Sequence, residues 1–186
     1  GAEHIGPQAA RNLNICAVIM DNGVYGLTKG QSSPTTKLGE ITSSTPFGKI
    51  ESQLNPLELY LTLGVSFIAS GFSGQVRPLA KLITLGMEHK GFSIIHVQSP
   101  CTTYNDTFEM LKGNVQKGIE PGLWEIPEDH DTSDKGAAQQ LLQQGGVPVG
   151  VLYNDTFRPS MDQQVEQMWT RANPKTVQEL VDAFEF

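Results

Sequence analysis

Residues 15–35 read ICAVIMDNGVYGLTKGQSSPT. The first part, Ile15 to Met20, is apolar without alternation, which predicts a strand buried on both faces, as in a parallel sheet covered by helices. The run then breaks at an Asp-Asn pair. It continues through Gly23, Gly26, Gly30 and Pro34 among hydroxyl, amide and amine side chains, a composition that suits neither strand nor helix. In open α/β sheets ligands bind beyond the carboxyl ends of the strands, so a polar, glycine-rich loop stands where a ligand would sit. The glycines let backbone amides approach an anion. Asn22 and the carbonyls near it offer neutral oxygens to a hard cation such as Mg²⁺ whose other ligands are phosphates. Thr28, Lys29 and Gln31 add donors for phosphate. On composition alone, a metal–diphosphate site and a plain surface loop both remain open.

Outward from this stretch, the pattern is that of layered α/β architecture. Ala2 to Arg11 can form a helix, with Pro7 awkward in its middle. Residues 21–53 read as one long irregular stretch, a length usually reserved for functional loops. Asn55 and Pro56 open a helix that Gly64 closes. VSFIAS (65–70) predicts a short strand, and residues 74–91 an amphipathic helix with Leu79, Leu82, Ile83 and Met87 on one face and Pro78 in its first turn. FSIIHVQ (92–98) predicts another buried strand. Strand, loop, helix, strand, helix, strand implies a mostly parallel sheet flanked by helices. Beyond Pro100 the apolar periodicity weakens. A helix from Ser133 to Gln144, a strand at VPVGVLYN (147–154) and helices near 160–171 and 175–185 are expected within a less regular C-terminal extension. The pentapeptide YNDTF recurs at Tyr104 and Tyr153 without wider similarity, so it marks no repeat.

The chain has 186 residues, 38% hydrophobic and 18% charged, enough for one domain core. Its formal net charge of −7 and pI near 5.0 make nucleic acid an unsuitable partner. No apolar run approaches the roughly 18 residues of a membrane span, and no signal peptide precedes the first strand, so no membrane association and a cytoplasmic location are expected. Cys16 lies in an apolar strand and reads as a buried thiol. Cys101 follows a strand and a proline, in QSPCTTYND, a different setting. His96 reads as a sheet histidine, His4 and His89 as surface residues, and His130 as part of an acidic loop before a helix. Trp124 and Trp169 suit packing or a contact between subunits.

Taken whole, DNGVYGLTKGQSSPT with STPFG shortly after it is similar to the β subunit of 2-oxoacid:ferredoxin oxidoreductases. The similarity continues through NPLELYLTLG, SPCTTYND, PEDHD and VGVLYND, nearly the whole chain. The resemblance implies a thiamine diphosphate-binding fold over residues 1–115 and, over 116–186, an extension that touches neighbouring subunits. It implies that Asp21, Asn22, Val24, Tyr25, Gly26, Leu27, Thr28 and Gln31 line thiamine diphosphate, with Asn22 and the Val24 carbonyl on its Mg²⁺. Cys101 matches the fourth ligand of a 4Fe–4S cluster. The implied reaction is oxidative decarboxylation of a 2-oxoacid to acyl-coenzyme A, with electrons passed to ferredoxin. The implied partner is an α subunit, which supplies the carboxylate that activates the cofactor. Lys29 is the candidate catalytic cation, facing the 2-oxoacid carboxylate or coenzyme A; a salt bridge to a neighbouring chain is the alternative. The motif type occurs in both 2-oxoglutarate and pyruvate enzymes, and PEDHD and VGVLYND lean towards 2-oxoglutarate.

One departure tempers this. The family's Gly-Asp-Gly metal motif lies some thirty residues before the Asp-Asn pair, whereas only twenty residues precede Asp21 here, and none forms that motif. The other three cluster cysteines have no counterpart either. The expectation is a C-terminal portion of the β chain, inactive alone, with a free Cys101 thiol and a tendency to self-associate or to need its α partner. The alternative is a non-catalytic chain that keeps the fold and the assembly surface but binds no cofactor.

Overall fold

The computed structural model describes residues 2–172 and 175–184. Its frame is a five-stranded sheet of β1 (Ile15–Asp21), β4 (Phe67–Phe72), β5 (Phe92–Gln98), β6 (Leu123–Glu125) and β7 (Val147–Asn154), in the order β1-β5-β4-β7-β6. Pairings β1–β5, β4–β5 and β6–β7 are parallel, and β7 runs antiparallel to β4. A separate two-stranded hairpin joins β2 (Val24–Tyr25) to β3 (Gln31–Ser32). Helices α1 (Ala2–Arg11), α2 (Pro56–Leu63), α3 (Val76–Glu88), α4 (Phe108–Lys112), α5 (Lys135–Leu142), α6 (Met161–Arg171) and α7 (Val177–Asp182), with a short 3-10 turn at Val115–Lys117, complete the described elements.

The two sheet faces are covered unequally. On one, Ile68, Ile94 and Leu152 pack against Ala9 of α1, Leu57, Tyr60 and Leu61 of α2, and Ala138 and Leu141 of α5. On the other, Phe67, Ala69, Ile95 and Val97 meet Leu79, Leu82 and Ile83 of α3. Each fully buried Leu or Ile contributes roughly 1.5–3 kcal/mol. β4 and the first six residues of β5 are buried throughout, as their unbroken apolar runs require. Gly86 lets α3 lie close to the sheet: a Cβ there would stand 2.8 Å from Ile95 Cδ1.

Helix α2 shows how local chemistry sets a boundary. The Asn55 side chain accepts from the Leu57 and Glu58 amides, Pro56 fills the first helical position, and Gly64 closes the helix in the left-handed conformation at φ 76°. Pro7 is the sixth of the ten residues of α1, as expected in its middle, and forfeits one intrahelical bond there.

Several expectations need correction. β1 is an edge strand, not one buried on both faces; Val18 and Met20 are 42% and 56% exposed. Cys16 is accordingly only half-buried, though burial still pushes its thiol pKa up. β4 begins at Phe67 rather than Val65, because Ser66 is turned into a buried polar knot described below. Met87 is 70% exposed; the closest approach of α3 to the sheet is made at Gly86. Residues 21–53 are not wholly irregular, since the β2–β3 hairpin lies within them. The expected helix over 133–144 is shorter, with Asp134 rather than Ser133 at its cap, accepting from the Gly136 amide. The last helix, expected over 175–185, is described over Val177–Asp182, and residue 185 lies outside the described residues. β6 was not expected at all; its Trp124 donates to the Gly145 carbonyl at 2.8 Å and packs on the core. β6 and β7 extend the same sheet across position 115/116.

The polar knot ties the amino ends of β4 and β5. Asn12, fully buried at φ 53°, ends α1 as a glycine commonly would. Its Oδ1 accepts from Ser66 Oγ (2.7 Å) and the Phe92 amide (2.9 Å), and its Nδ2 donates to the Pro159 carbonyl (3.1 Å) and, more weakly, to Arg158 (3.3 Å). His89, expected on the surface, is half-buried with Nε2 2.8 Å from Ser66 Oγ and its ring against Phe67. Burial lowers its pKa.

Candidate functional site

The site forms where β1 and β5 end. Asp21 is the last residue of β1 and Gln98 of β5; the next backbone bond, Ser99 N–H to the Asp21 carbonyl, is 2.7 Å. Beyond these ends lies a polar cleft of about 490 Å³, whose lining includes Asp21, Asn22, Gly23, Thr35, Gln98 and Asn105. An α/β sheet offers ligands this end.

Asp21 is the organising group. Its Oδ1 accepts from the Gly23 amide and from Thr35 Oγ1, both at 2.8 Å. Its Oδ2 lies 3.4 Å from His96 Nε2, ion-pair distance without hydrogen-bond alignment. Burial would raise the Asp21 carboxyl, but the nearby His96 and the Gly23 and Thr35 donors outweigh it and hold the group below the usual carboxylate range. His96 is a sheet histidine as expected, 2% exposed, with Nδ1 3.2 Å from Tyr60 Oη. Burial first, and the Asp21 charge second, push the Tyr60 phenol well above its ordinary value. A protonated Tyr60 donates to Nδ1, which leaves the ring proton on Nε2, facing Asp21.

Asn22 forms an Asx turn: its Oδ1 accepts from the Val24 amide at 3.1 Å. The Asn22 carbonyl accepts from Asn105 Nδ2 at 2.8 Å, and the Gly23 carbonyl from Thr36 Oγ1. The segment 101–105 lies directly on this turn. A Cβ at Gly23, where φ is 71°, would come within 2.7 Å of Asn105 Nδ2. One at Gly30, φ 80°, would meet Tyr104 at 2.9 Å, and one at Gly26 would lie 3.8 Å from Cys101 Sγ. Two strings separated by some seventy residues, DNGVYGLTKG and CTTYN, therefore interlock, and the glycines of the first are the sockets of the second.

The structure brings together Asp21, Asn22, Val24, Gly26 and Cys101. It does not bring Tyr25, Leu27, Thr28, Lys29 or Gln31 into the cleft. They stand on the β2–β3 hairpin, with Leu27 fully exposed and Tyr25 53% exposed. Lys29, at φ 68°, has no ion pair among the described residues. Residues that reading the sequence missed are Thr35, Thr36 and Asn105, which fasten the Asp21–Gly23 turn. A run of hydroxyls just after the glycines was the available signal for the two threonines; Asn105 had none. Lys49, also missed, had none.

As a donor set for a cation, the turn supplies the Asn22 oxygen and backbone carbonyls, while Asp21 Oδ1 is taken by the Gly23 amide and Thr35 and its Oδ2 faces His96. Neutral oxygens of this kind suit Mg²⁺ that already carries phosphate oxygens, so the residues fit a metal–diphosphate group as part of its shell. Among the described residues no three His, Cys, Asp or Glu side chains gather into a metal site. Nor can the two thiols share a cluster: Cys16 stands five residues back along β1, roughly 17 Å from its carboxyl end at 3.3 Å per residue.

Cys101 differs electronically from Cys16. The amides of Tyr104 and Thr103 face its sulfur and lower its pKa, whereas burial raises that of Cys16. Iodoacetamide at pH 7 should therefore alkylate Cys101 markedly faster than Cys16, because only the thiolate reacts. Peptide mass spectrometry over time reads the ratio, and equal rates would contradict the electrostatic account.

Residues 2–97 match the family model described as thiamine pyrophosphate enzyme, C-terminal TPP binding domain, and residues 101–169 match the model for the C-terminal part of the pyruvate ferredoxin oxidoreductase beta chain. The chain is 36% identical over 173 residues to a 2-oxoacid:ferredoxin oxidoreductase subunit beta of a Sulfolobus species, covering 89% of this chain and 57% of that protein. It is 31% identical over 149 residues to the 2-oxoglutarate synthase subunit KorB of Archaeoglobus fulgidus, covering 77% and 56%. The solved 2-oxoglutarate:ferredoxin oxidoreductase from Magnetococcus marinus, which has 2-oxoglutarate, coenzyme A and succinyl-CoA bound, superposes with a TM-score of 0.86 at 36% identity. That match covers 100% of this chain and 63% of the other. The chain thus spans a little over half the length of these two curated relatives.

Proposed function

The chain belongs to the thiamine pyrophosphate enzymes, in the 2-oxoacid:ferredoxin oxidoreductase β-subunit family, and from that premise we propose that it forms the cofactor-binding side of an enzyme that oxidatively decarboxylates 2-oxoglutarate, in preference to pyruvate. The products are succinyl-coenzyme A and electrons for ferredoxin. The observation that carries this reading is the interlock at the carboxyl ends of β1 and β5, where Asn105, Tyr104 and Cys101 seat on the Asn22–Gly30 glycines. The relatives named for 2-oxoglutarate support the substrate.

When bound, thiamine diphosphate supplies the electron sink for decarboxylation. This chain's own residues hold it. Asn22 and the Val24 carbonyl would complete the Mg²⁺ shell around the diphosphate. Asp21 stays ionised and pins the Gly23 amide, so the turn is preformed. Cys101, whose thiol pKa the facing amides lower, would ligate one iron of a 4Fe–4S cluster whose other thiolates come from elsewhere in the enzyme. The hairpin tip with Lys29 would reach the substrate carboxylate or coenzyme A across the contact with an α subunit. In this reading residues 1–115 serve the cofactor and 116–186 the contact between subunits. No described helix is long and apolar enough to cross a membrane, in keeping with a cytoplasmic enzyme.

The test is calorimetric titration of thiamine diphosphate with Mg²⁺ into the complete subunit assembled with its α partner, followed by steady-state assay. One saturable site per chain is expected, with kcat/KM for 2-oxoglutarate at least ~100-fold above pyruvate, as a site built to pair a carboxylate rejects an analogue that lacks it. Absence of cofactor uptake would overturn the assignment, and a ratio near one the substrate.

A further inference from the structure

Lys49 is 4% exposed, and among the described residues its ammonium has no carboxylate within 4 Å. It is held instead by three carbonyls, those of Ser33 (3.1 Å), Pro34 (3.2 Å) and Thr36 (2.8 Å). An ammonium has three donors and no acceptor, so this set satisfies it completely, yet its positive charge remains uncancelled in the interior. Such burial is costly wherever a surface position would serve. The surrounding chain is shaped to permit it. Lys49 N–H bonds the Glu40 carbonyl and its own carbonyl accepts from the Gly39 amide. Gly48, at φ 93°, admits no Cβ, which would fall 2.9 Å from the Gly39 oxygen.

The three carbonyls belong to the segment that fastens the cofactor turn. Thr35 Oγ1 donates to Asp21 Oδ1, Thr36 Oγ1 donates to the Gly23 carbonyl, and Gln53 Nε2 holds the Thr35 carbonyl at 2.9 Å. Strain or motion in 33–36 would thus be felt at both residues flanking Asn22. We propose that Lys49 is a positioning residue for thiamine diphosphate and Mg²⁺: a buried ammonium that gathers the 33–36 carbonyls and so holds Thr35 and Thr36 against the Asp21–Gly23 turn. The inference rests on the cofactor reading above and goes beyond it, because Lys49 touches neither the cleft nor any residue of the turn directly. Its route is ammonium to carbonyls, carbonyls to hydroxyls, hydroxyls to turn.

The experiment compares wild type, Lys49→Met, Thr36→Val and the double variant in the complete subunit with its partner. Lys49→Met should raise the dissociation constant of thiamine diphosphate with Mg²⁺ about tenfold or more, a size seen when the support of a metal ligand is removed. The loss falls on KM for the cofactor more than on kcat at saturation. Amide hydrogen exchange should quicken across residues 21–24 and 33–36 and stay unchanged across α2. Thr36→Val, which leaves the buried ammonium in place, should weaken cofactor binding in the same direction, and the double variant should be no weaker than the worse single. Additive effects, or unchanged exchange over 21–36, would overturn the proposal. A wild type that takes up no thiamine diphosphate would instead refute the cofactor reading, while the exchange arm still decides the role of Lys49.

Discussion

Asn12→Ala should lower the free energy of unfolding by about 3–5 kcal/mol, the range set by deleting a buried network rather than a single bond. Asn12 gives and receives four hydrogen bonds in an enclosed site. Alanine would remove all four and strand the Phe92 amide, a desolvated group without its partner, while the Ser66 hydroxyl keeps only the Phe92 carbonyl and His89. It would also place a Cβ-bearing residue with no compensating side-chain contact at φ 53°. Thermal unfolding should fall by about 10 °C or more for a chain of this size. Asn14→Ala provides the control: its side chain bonds Asp162 on the surface, and surface changes usually stay within about 0.5 kcal/mol. Urea titration of the two variants beside wild type reads the contrast. A loss below about 1 kcal/mol at Asn12 would mean that water replaces the network and that the knot is not a stability element.

Asn22→Ala should weaken thiamine diphosphate with Mg²⁺ by ~100-fold or more, since even removing the support of a ligand costs about 10–100-fold. On the reading proposed above the side chain does two things: it would complete the metal shell, and it accepts from the Val24 amide. Asn22→Asp separates them, because it keeps the turn acceptor and changes only the ligand's charge. If binding survives in the aspartate variant and is lost in alanine, the oxygen is the requirement. If both lose binding equally, the amide nitrogen matters, and Asn22 is not an oxygen ligand. The folded state should be little changed in either variant, because the Asn22 side chain accepts one bond and is half-exposed.

Some of this was legible from the chain. Asn55-Pro56 and Gly64 mark their helix because caps are local chemistry. The apolar runs at 92–98 and 147–154 announce strands because a buried strand needs no partner's identity to look apolar. Direction and neighbourhood are another matter. Nothing in VPVGVLYN says that it runs antiparallel to Phe67–Phe72, and a three-residue strand around Trp124 is too short for any period to show. β1 is apolar like a central strand yet lies at the sheet's edge within the described residues.

The site divides the same way. The Asp-Asn-Gly turn stands out by composition, and its likeness to a family told which cofactor to expect. That Asn105 and Tyr104 close on Gly23 and Gly30 is a tertiary fact with no local trace. Lys49 is the extreme case: a lysine in a polar loop is expected in solvent, and only the converging carbonyls reveal it as interior.

The antiparallel course of β7 has a practical consequence. Val147 opens at the cleft, and Asn154 finishes beside Phe67, so the chain is carried to the far end of the sheet before α6 begins. The Met161 amide bonds the Asn12 carbonyl there, and Gln163 and Gln167 of α6 face Phe67 and Leu85. Six or seven strand residues, about 20 Å, separate these glutamines from Asn22. A fluorophore placed on α6 would therefore stand clear of the cleft and report instead on the subunit contact proposed for this part of the chain.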